Sequence, residues 1–236
     1  MSRDVLIDDY RFTGARIVPA TAVDGPWSKV AVTTGGTPTL LNSGGACVGT
    51  IVAGGGGAES ICLYTGDNLG YDIDDLISAE FWLSVSGIDS VTTLVAGMAS
   101  AQNATPDSVA AHAWFRMEGS ASLTDLLAET DDGVTDTDDK ATGLTLAATV
   151  RKLQIKFQDD VYSASPPASS LGGKANVKFL AENPQGLLIP VATTQRFDMS
   201  GYASRLQPMV QLQRASGSGT PAFTLRRVRI TYREPN

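Results

Sequence analysis

One short segment, HAWFRME at residues 112–118, alternates polar or aromatic side chains with apolar ones. Period two places His112, Trp114 and Arg116 on one face of a strand, away from its apolar face. An aromatic ring beside hydrogen-bonding groups suits a sugar. The sequence therefore offers these three residues as a candidate carbohydrate site, with Trp82 as a further stacking residue.

Histidine-based catalysis has no support in this sequence. His112 is the only histidine, and no serine or cysteine motif accompanies it, so a nucleophile–histidine triad is not predicted. The alternative interpretation of His112 is a structural histidine, exposed or half-buried.

Carboxylates show no catalytic pattern along any one strand. A sandwich glycosidase is expected to alternate carboxylates, as in E-x-D-x-x-E, because the acid and its partner must flank one glycosidic bond. The nearest match is YDIDD, in which Asp72, Asp74 and Asp75 fit a solvated turn. The sequence thus predicts no catalytic residue and a protein that is not an enzyme.

Acidic residues crowd the segment from Glu129 to Asp139. Carboxylate oxygens suit calcium, but the spacing lacks the glycine and the glutamate of an EF-hand loop. A solvated hairpin edge whose charges discourage unwanted strand pairing is the favoured interpretation, and no metal is predicted.

The last predicted strand, TLRRVRITYRE, is rich in arginine. Its apolar residues occupy an odd-numbered position at Leu225 and even-numbered positions from Val228. This change in the alternation predicts a bulge near Arg226 and Arg227. We hypothesise that these arginines, with Arg229 and Arg233, face the acidic segment in the same chain or in a neighbouring subunit. Such exposed pairs contribute about 0.2–1 kcal/mol each, so they would set register more than stability.

The two cysteines, Cys47 and Cys62, flank the glycine run AGGGGA. Their placement predicts a hairpin with that run as its loop. The thiols are either two reduced, buried small hydrophobes or a pair within reach of a disulfide. The glycine run lacks the Lys-Ser/Thr of a phosphate-binding loop, and no cofactor is predicted.

Charge and composition disfavour two kinds of partner. The 236 residues carry a formal net charge of −7, whereas nucleic acids and anionic membranes attract positive proteins. The start, MSRDVLIDDY, lacks the basic and apolar regions of a secretory signal, and no run approaches the about 20 apolar residues of a membrane span. We expect a soluble protein made in the cytoplasm, with no nucleic-acid or membrane partner.

Alternating apolar residues predict strands along most of the chain, most clearly at 79–87 and 151–158. The candidates at 209–213 and 228–232, joined by ASGSGTP, predict a hairpin. Because 24 glycines and 11 prolines accompany this pattern and no helical period is present, an all-β antiparallel sandwich is expected.

One sandwich domain over residues 31–236 is expected, preceded by an N-terminal extended segment or edge strand over residues 1–30. In that segment Tyr10 and Phe12, with Ile7, either pack on the sandwich edge or form an arm that reaches a neighbouring subunit.

The order of motifs resembles that of bacteriophage virion proteins with a concanavalin A-like, laminin G-like jelly-roll sandwich. The resemblance runs from about residue 7 to residue 233, and its most specific passage is FDMSGYASRLQPMVQLQRASGSGTPAFTLRRVRI. The other carriers are DDYRF, AEFWLSVSG, LVAGMAS and the segment TDDGVTDTDD ahead of RKLQIKF. The usual N-G or D-G turn of the middle portion is replaced here by ENPQG.

The resemblance implies a non-enzymatic capsid decoration or cement protein. Such a protein binds the major capsid protein on the outer surface of the virion and itself as a homodimer or trimer. The expected contacts are Ile7, Tyr10, Phe12, Arg226, Arg227 and Arg229. The alternative is a carbohydrate-binding adsorption module on a head or tail fibre, with His112, Trp114 and Arg116 as its site.

Overall fold

The computed structural model describes residues 4–13, 23–24, 26–52, 54, 57–68, 70–158 and 174–234. In chain order its strands are β1 (Val5–Arg11), β2 (Val23–Asp24), β3 (Trp27–Val32), β4 (Thr37–Ser43), β5 (Ala46–Val52), β6 (Glu59–Tyr64), β7 (Tyr71–Asp72), β8 (Leu76–Ser86), β9 (Thr92–Ala99), β10 (His112–Glu118), β11 (Asp125–Asp131), β12 (Asp136–Thr145), β13 (Arg151–Lys156), β14 (Lys178–Glu182), β15 (Leu188–Val191), β16 (Arg205–Arg214) and β17 (Ala222–Arg233). Two short 3₁₀ helices, Pro106–Ser108 and Lys174–Asn176, interrupt them.

The strands form two antiparallel sheets. Sheet A follows the order β15-β14-β13-β8-β17-β5-β4, with β1 paired to the C-terminal half of β17. Sheet B follows the order β12-β11-β10-β9-β16-β6-β3-β2, with β7 paired to the start of β16. This two-sheet jelly-roll sandwich confirms the fold class expected from the sequence.

Each sheet turns one apolar face toward the other, and the core lies between them. On β13 the buried Leu153 and Ile155 alternate with partly exposed Lys152 and Gln154. A one-residue slip would bury the polar set, so this register is strongly fixed. The faces of the two sheets that turn away from this core are called here the outer faces.

Both hairpins predicted between consecutive strands are wrong. β16 lies in sheet B between β9 and β6, whereas β17 lies in sheet A beside β8 and β5. In the same way β5 belongs to sheet A and β6 to sheet B. The chain crosses between layers at these turns, because period two fixes which face of a strand is buried but not which strand lies next to it.

Because β5 and β6 belong to different sheets, the two cysteines also lie in different sheets. Cys47 belongs to the core between the sheets, and Cys62 packs on the outer face of sheet B. Both are free thiols. Burial raises the pKa of Cys47 to about 12, so this side chain stays protonated at neutral pH.

The arginine-rich strand carries the expected bulge. The register between β17 and β8 shifts from Leu225 to Arg227, which leaves Arg226 exposed and out of the pairing. This irregularity confirms the bulge predicted from the parity of the apolar residues.

The N-terminal residues are part of the sandwich. β1 pairs with β17 along its whole length, and Phe12 directly after it is fully buried. Residue 30, the expected boundary, falls inside β3, whose first residue Trp27 is also buried in the core.

Over the residues that the structure describes, no helix has the length and apolar character needed to cross a membrane.

Candidate functional site

The candidate site lies on the outer face of sheet B, where β10 is flanked by β9 and β11. The alternation predicted for β10 is confirmed: Phe115 and Met117 point into the core, and Trp114 and Arg116 point outward. The register of β10 with β9 and β11 shows which side chains lie beside each other on this face. Arg116 lies opposite Val95 of β9 and Leu127 of β11, and the next row brings Glu118 beside Thr93.

A covering segment, residues 100–111, lies over part of this face and creates a second, smaller apolar cluster. Val109 of that segment packs there with Trp114 and Met209. The Gln211 side-chain amide of β16 donates to the backbone carbonyls of Asn103 and Ala104, at 2.9 and 3.1 Å. The covering segment is therefore fixed to the sheet by both apolar and polar contacts.

Glu129 of β11 organises the buried end of the site. It accepts a hydrogen bond from the Trp114 indole N–H, and its Oε1 lies 3.1 Å from Nε2 of His112. Among the described residues, Nε2 of His112 has no hydrogen-bond partner. The two rings stack with centroids 3.6 Å apart and planes 9° from parallel.

Burial overturns the expectation that Trp114 and His112 form a stacking surface. Trp114 is fully buried, and His112 is 4% exposed. Both rings lie in the buried layer to which Val109 of the covering segment contributes, and no sugar reaches Trp114 in this arrangement. The sequence could not show this, because the covering segment lies outside the strand pattern.

Arg116 is the centre of an ion-pair cluster whose acids come from four different elements. Its guanidinium donates to Asp107 of the 3₁₀ helix and to Glu118 Oε2 at 2.8 Å. It also lies 3.5 Å from Glu129 Oε1 and 3.7 Å from Asp139 Oδ1. We call these five residues the Arg116 cluster.

The Arg116 cluster has a buried side and an open side. Glu129 is 2% exposed and Arg116 is 11% exposed, whereas the Glu118, Asp139 and Asp107 side chains are 24%, 52% and 62% exposed. Glu118 also accepts hydrogen bonds from the hydroxyls of Thr93, at 3.2 Å, and Ser120, at 2.9 Å. Its carboxylate is thus held in place before any ligand arrives.

Asp139, on the open side of the Arg116 cluster, has a raised pKa. Partial burial raises the pKa of this carboxyl above its ordinary value. The charge of Arg116 lowers this pKa, while the neighbouring carboxylates Glu129, Asp138 and Glu118 raise it. A carboxyl of raised pKa beside one that accepts several hydrogen bonds is a pairing suited to general acid–base chemistry.

Of the Arg116 cluster, the sequence analysis named only Arg116 as a candidate site residue. Glu118 was visible in the alternation of β10. Glu129 could have been found only from the pairing of β10 with β11, and Asp139 only from the pairing of β11 with β12. Asp107 comes from the covering segment, for which no strand pattern exists.

The β11–β12 edge places like charges side by side. Asp131 lies directly opposite Asp136. Partial burial, the hydrogen bond with Asp138 and the charges of Asp138 and Asp131 raise the pKa of Asp136 to about 6, against an opposing effect of His112. Within the acidic segment β12 is therefore an exposed edge strand, as the favoured sequence interpretation described it, whereas Glu129 of β11 and Asp132 are buried.

Replacing Asp136 with asparagine is expected to stabilise the fold more at neutral than at acidic pH. The folded-state pKa lies above the ordinary value of 3.8, so stability is lost as pH rises from about 4 to about 6 and stays lost above that. Because the side chain is exposed, the gain is at most about 1 kcal/mol near pH 7.5 and smaller near pH 5. Thermal unfolding at both pH values measures it, and an equal gain at both would contradict the assignment.

The residues expected to contact a shell or a second subunit fall into three environments. Phe12 is fully buried, so its expected role as a contact is wrong. Tyr10 is half-buried against the core, with its hydroxyl 3.3 Å from that of Tyr71. The exposed residues are Ile7 and Arg226, and the partly exposed ones are Arg227 and Arg229.

Within the described part of the chain, no group of three or more His, Cys, Asp and Glu side chains has an arrangement that could hold a metal ion.

No protein-family model matches this chain, and no curated protein matches it in sequence. Solved structures do match over nearly its whole length. A protein of unknown function from Shewanella oneidensis MR-1 has a TM-score of 0.61 at 10% identity, with 98% of this chain and 88% of that chain covered. The Emp47p carbohydrate recognition domain has a TM-score of 0.54 at 10% identity, with 92% of each chain covered.

A third match is a prokaryotic β-1,3-1,4-glucanase (lichenase) derived from a mouse hindgut metagenome. Its TM-score is 0.56 at 7% identity, with 95% of this chain and 98% of that chain covered. Identities this low show the fold alone. The fold is a concanavalin A-like, lectin-type jelly roll, as the sequence resemblance implied, while nothing in these matches supports a virion origin.

The expectation that this protein is not an enzyme is corrected. It rested on the missing E-x-D-x-x-E strand and on the virion resemblance, and matching structures include a glucanase on the same two-sheet fold. The missing motif was also an insufficient ground for that expectation. Carboxylates that meet in the Arg116 cluster come from different strands and a covering segment, so a single-strand motif does not test for them.

Proposed function

We propose that this chain binds carbohydrate through the open side of the Arg116 cluster. The observation that carries the proposal is the fixed Glu118 carboxylate. It is held by Arg116, Thr93 and Ser120 while remaining partly exposed. Sugar hydroxyls both donate and accept, so they suit a site in which carboxylate acceptors and guanidinium or hydroxyl donors are ordered in advance.

The composition of the site supports this assignment. Leu127 lies directly opposite Arg116 and offers an apolar, partly exposed surface beside the polar groups. Asp107 and Asp139 contribute further exposed acceptors on either side of the guanidinium. Among structures of the same fold, Emp47p is described as a carbohydrate recognition domain and the lichenase as a β-1,3-1,4-glucanase, which is why glycans are the first ligands to test.

Glu118→Gln is the variant that tests the proposal. The amide keeps the shape of the side chain, but it replaces one acceptor oxygen with a donor and removes the charge that pairs with Arg116. We expect at least about tenfold weaker binding, which corresponds to about 1.4 kcal/mol. The probes are an array of neutral, acidic and amino glycans, followed by calorimetric titration with β-1,3-1,4-glucan oligosaccharides and the strongest array ligand.

The matched control is Glu234→Gln, which changes an exposed carboxylate beyond the end of β17 in sheet A. The control is expected to bind like the wild type. Equal binding by wild type and Glu118→Gln would place any glycan site elsewhere, and no binding to any glycan by the wild type would refute the function.

A second candidate function is glycoside hydrolysis, which the raised pKa of Asp139 favours. In this scheme the Asp139 carboxyl gives its proton to the oxygen of the leaving sugar. Glu118 then acts as the base that takes a proton from the attacking water, or as the nucleophile itself. Activity would fall as pH rises through the pKa of Asp139, because the acid would lose its proton before the reaction.

Release of reducing ends from β-1,3-1,4-glucan separates binding from hydrolysis. If hydrolysis occurs, Asp139→Asn is expected to lower its rate by about 10²–10⁴-fold, the usual contribution of a general acid, while binding persists. Binding without any release of reducing ends would leave carbohydrate recognition as the function and exclude the second candidate.

The capsid decoration role stays a prediction from sequence resemblance. None of the three matching structures described above is named as a virion protein. One of the six expected contacts, Phe12, is buried in the core. A location on the outer surface of a virion likewise stays a prediction.

A further inference from the structure

The outer face of sheet A is positively charged, although the chain as a whole carries a net charge of −7. In the described part of that face the carboxylates are Asp9, Glu80 and Glu182. The cations on the same face include Arg11, Lys152, Lys156, Lys178, Arg227 and Arg229. Lys156 and Lys178 lie directly opposite each other on β13 and β14, which concentrates positive charge at one end of the face.

The centre of this face is ordered by its own contacts. The Trp82 ring lies between two cations, with Lys152 Nζ 5.1 Å and Arg227 Cζ 4.6 Å from the ring centroid. Arg227 is held by two hydrogen bonds to Asp9, at 2.6 and 2.8 Å, and Lys152 by Glu80 at 2.7 Å. Ordered Trp and Arg side chains lose little entropy on association, and these residue types dominate the energetics of protein interfaces.

The Trp82 ring is therefore already engaged by cations from the two strands that flank β8, Lys152 of β13 and Arg227 of β17. The outer face of sheet A presents guanidinium and ammonium groups around an aromatic centre. The partner that fits it by charge carries several closely spaced carboxylates.

This chain itself contains such a surface at the opposite layer of the sandwich. The edge strand β12 exposes Asp136, Asp138 and Asp139, and Asp131 lies directly opposite Asp136 on β11. Register shifts along β11 and β12 make this edge irregular, which disfavours simple addition of another strand. Its carboxylates are thus available for side-chain contacts rather than for extension of the sheet.

The acidic edge and the basic face do not meet within one chain. In the described residues, Arg227 pairs with Asp9 and Arg229 lies 4.0 Å from Glu80, both on sheet A itself. Contact within the same chain, one of the two arrangements hypothesised from the sequence, is therefore not formed by Arg227 or Arg229; contact with a neighbouring copy is the other.

We infer that this protein associates with itself head to tail, the acidic β11–β12 edge of one copy docking on the basic outer face of sheet A of the next. Because two different surfaces meet, the contact is heterologous. It generates a ring if the rotation closes and an open chain if it does not. A symmetric dimer through either surface alone would place like charges against each other.

The association is expected to be weak and salt-dependent. The charges involved are partly exposed, and exposed charge pairs are screened within about 10 Å at 0.1 M salt. Sedimentation equilibrium of the full chain over a range of concentrations, in about 50 mM and about 500 mM NaCl, should show self-association that is at least about tenfold weaker at the higher salt.

Two charge-reversal variants test the geometry directly. Arg11→Glu with Lys156→Glu reverses exposed or partly exposed positions of the basic face while leaving the Trp82 stack intact. Asp136→Lys with Asp138→Lys reverses the acidic edge and leaves all five residues of the Arg116 cluster in place. Each double variant alone is expected to be monomeric at about 50 mM NaCl, and the mixture of the two is expected to associate, because each supplies the surface that the other lacks.

Three results would overturn the inference. The first is a wild-type protein that is monomeric at low salt, whether or not an added polyanion such as heparin binds the basic face. The second is association that persists unchanged in either double variant. The third is a mixture of the two variants that stays monomeric, provided that unfolding curves show both variants to be folded.

Discussion

Replacing Glu129 with alanine is expected to lower the free energy of unfolding by about 3–5 kcal/mol, because breaking a buried charge network leaves its remaining members unpaired. The Trp114 indole N–H would lose its acceptor, and the guanidinium of Arg116 would lose its most deeply buried carboxylate. His112 would also lose the charge that lies 3.1 Å from its ring. Urea denaturation of the purified variant measures the change.

The control for this prediction uses the same arginine. Asp107→Ala removes a carboxylate that also pairs with Arg116 but is 62% exposed, so its cost is expected to stay below about 1 kcal/mol. Similar decreases in the free energy of unfolding for Glu129→Ala and Asp107→Ala would contradict the account, because burial would then not distinguish the two acids.

Replacing Trp114 with alanine is expected to cost about 3–5 kcal/mol of stability, the usual effect of emptying a large aromatic site in a core. The indole is fully buried among Val95, Val109 and Met209. Gly97 lies directly opposite it on β9, where an added Cβ would come within 2.5 Å of the Trp114 Cβ. The close approach at Gly97 involves the backbone and Cβ of β10, not the ring, so the expected loss comes from the indole contacts, and thermal or urea unfolding should show it.

Trp114→Phe separates a supporting role from a binding role. It keeps an aromatic ring in the site and loses only the hydrogen bond to Glu129 and part of the volume, so most of the stability should be retained. Glycan binding should persist in the folded Trp114→Phe protein. A Trp114→Ala protein as stable as the wild type, but unable to bind glycan, would instead identify Trp114 as an exposed platform.

The sequence predicted where the strands lie better than it predicted which strands pair with each other. The alternation in β8, β10 and β13 identified the side chains that face the core, because period two separates the two faces of a strand. It did not show that the outer face of β10 is also buried at His112 and Trp114. The turn after β16 offered the same glycine and serine signals that a hairpin would offer, yet the chain crosses there from sheet B to sheet A. A crossing between layers and a hairpin within one layer need similar turn residues, so local sequence does not separate them.

In the candidate site, too, the sequence predicted local features but not tertiary ones. Arg116 was named from its place on the polar face of β10. Its acidic partners Glu118, Glu129 and Asp139 come from three different strands, and Asp107 comes from the covering segment. Such a cluster is created by strand order and register, which are tertiary features. For the same reason Trp114 was expected at the surface, although the covering segment that directly precedes its strand helps to bury it.

The central claim is that carbohydrate binds at the open side of the Arg116 cluster. The most direct measurement is titration of the isotopically labelled chain with β-1,3-1,4-glucan oligosaccharide, or with the strongest array ligand, followed by amide resonances. The account predicts that the perturbed amides cluster around Thr93, Asp107, Arg116, Glu118 and Asp139, and that Glu118→Gln abolishes the response. Perturbations confined to sheet A, or none with any glycan, would contradict it.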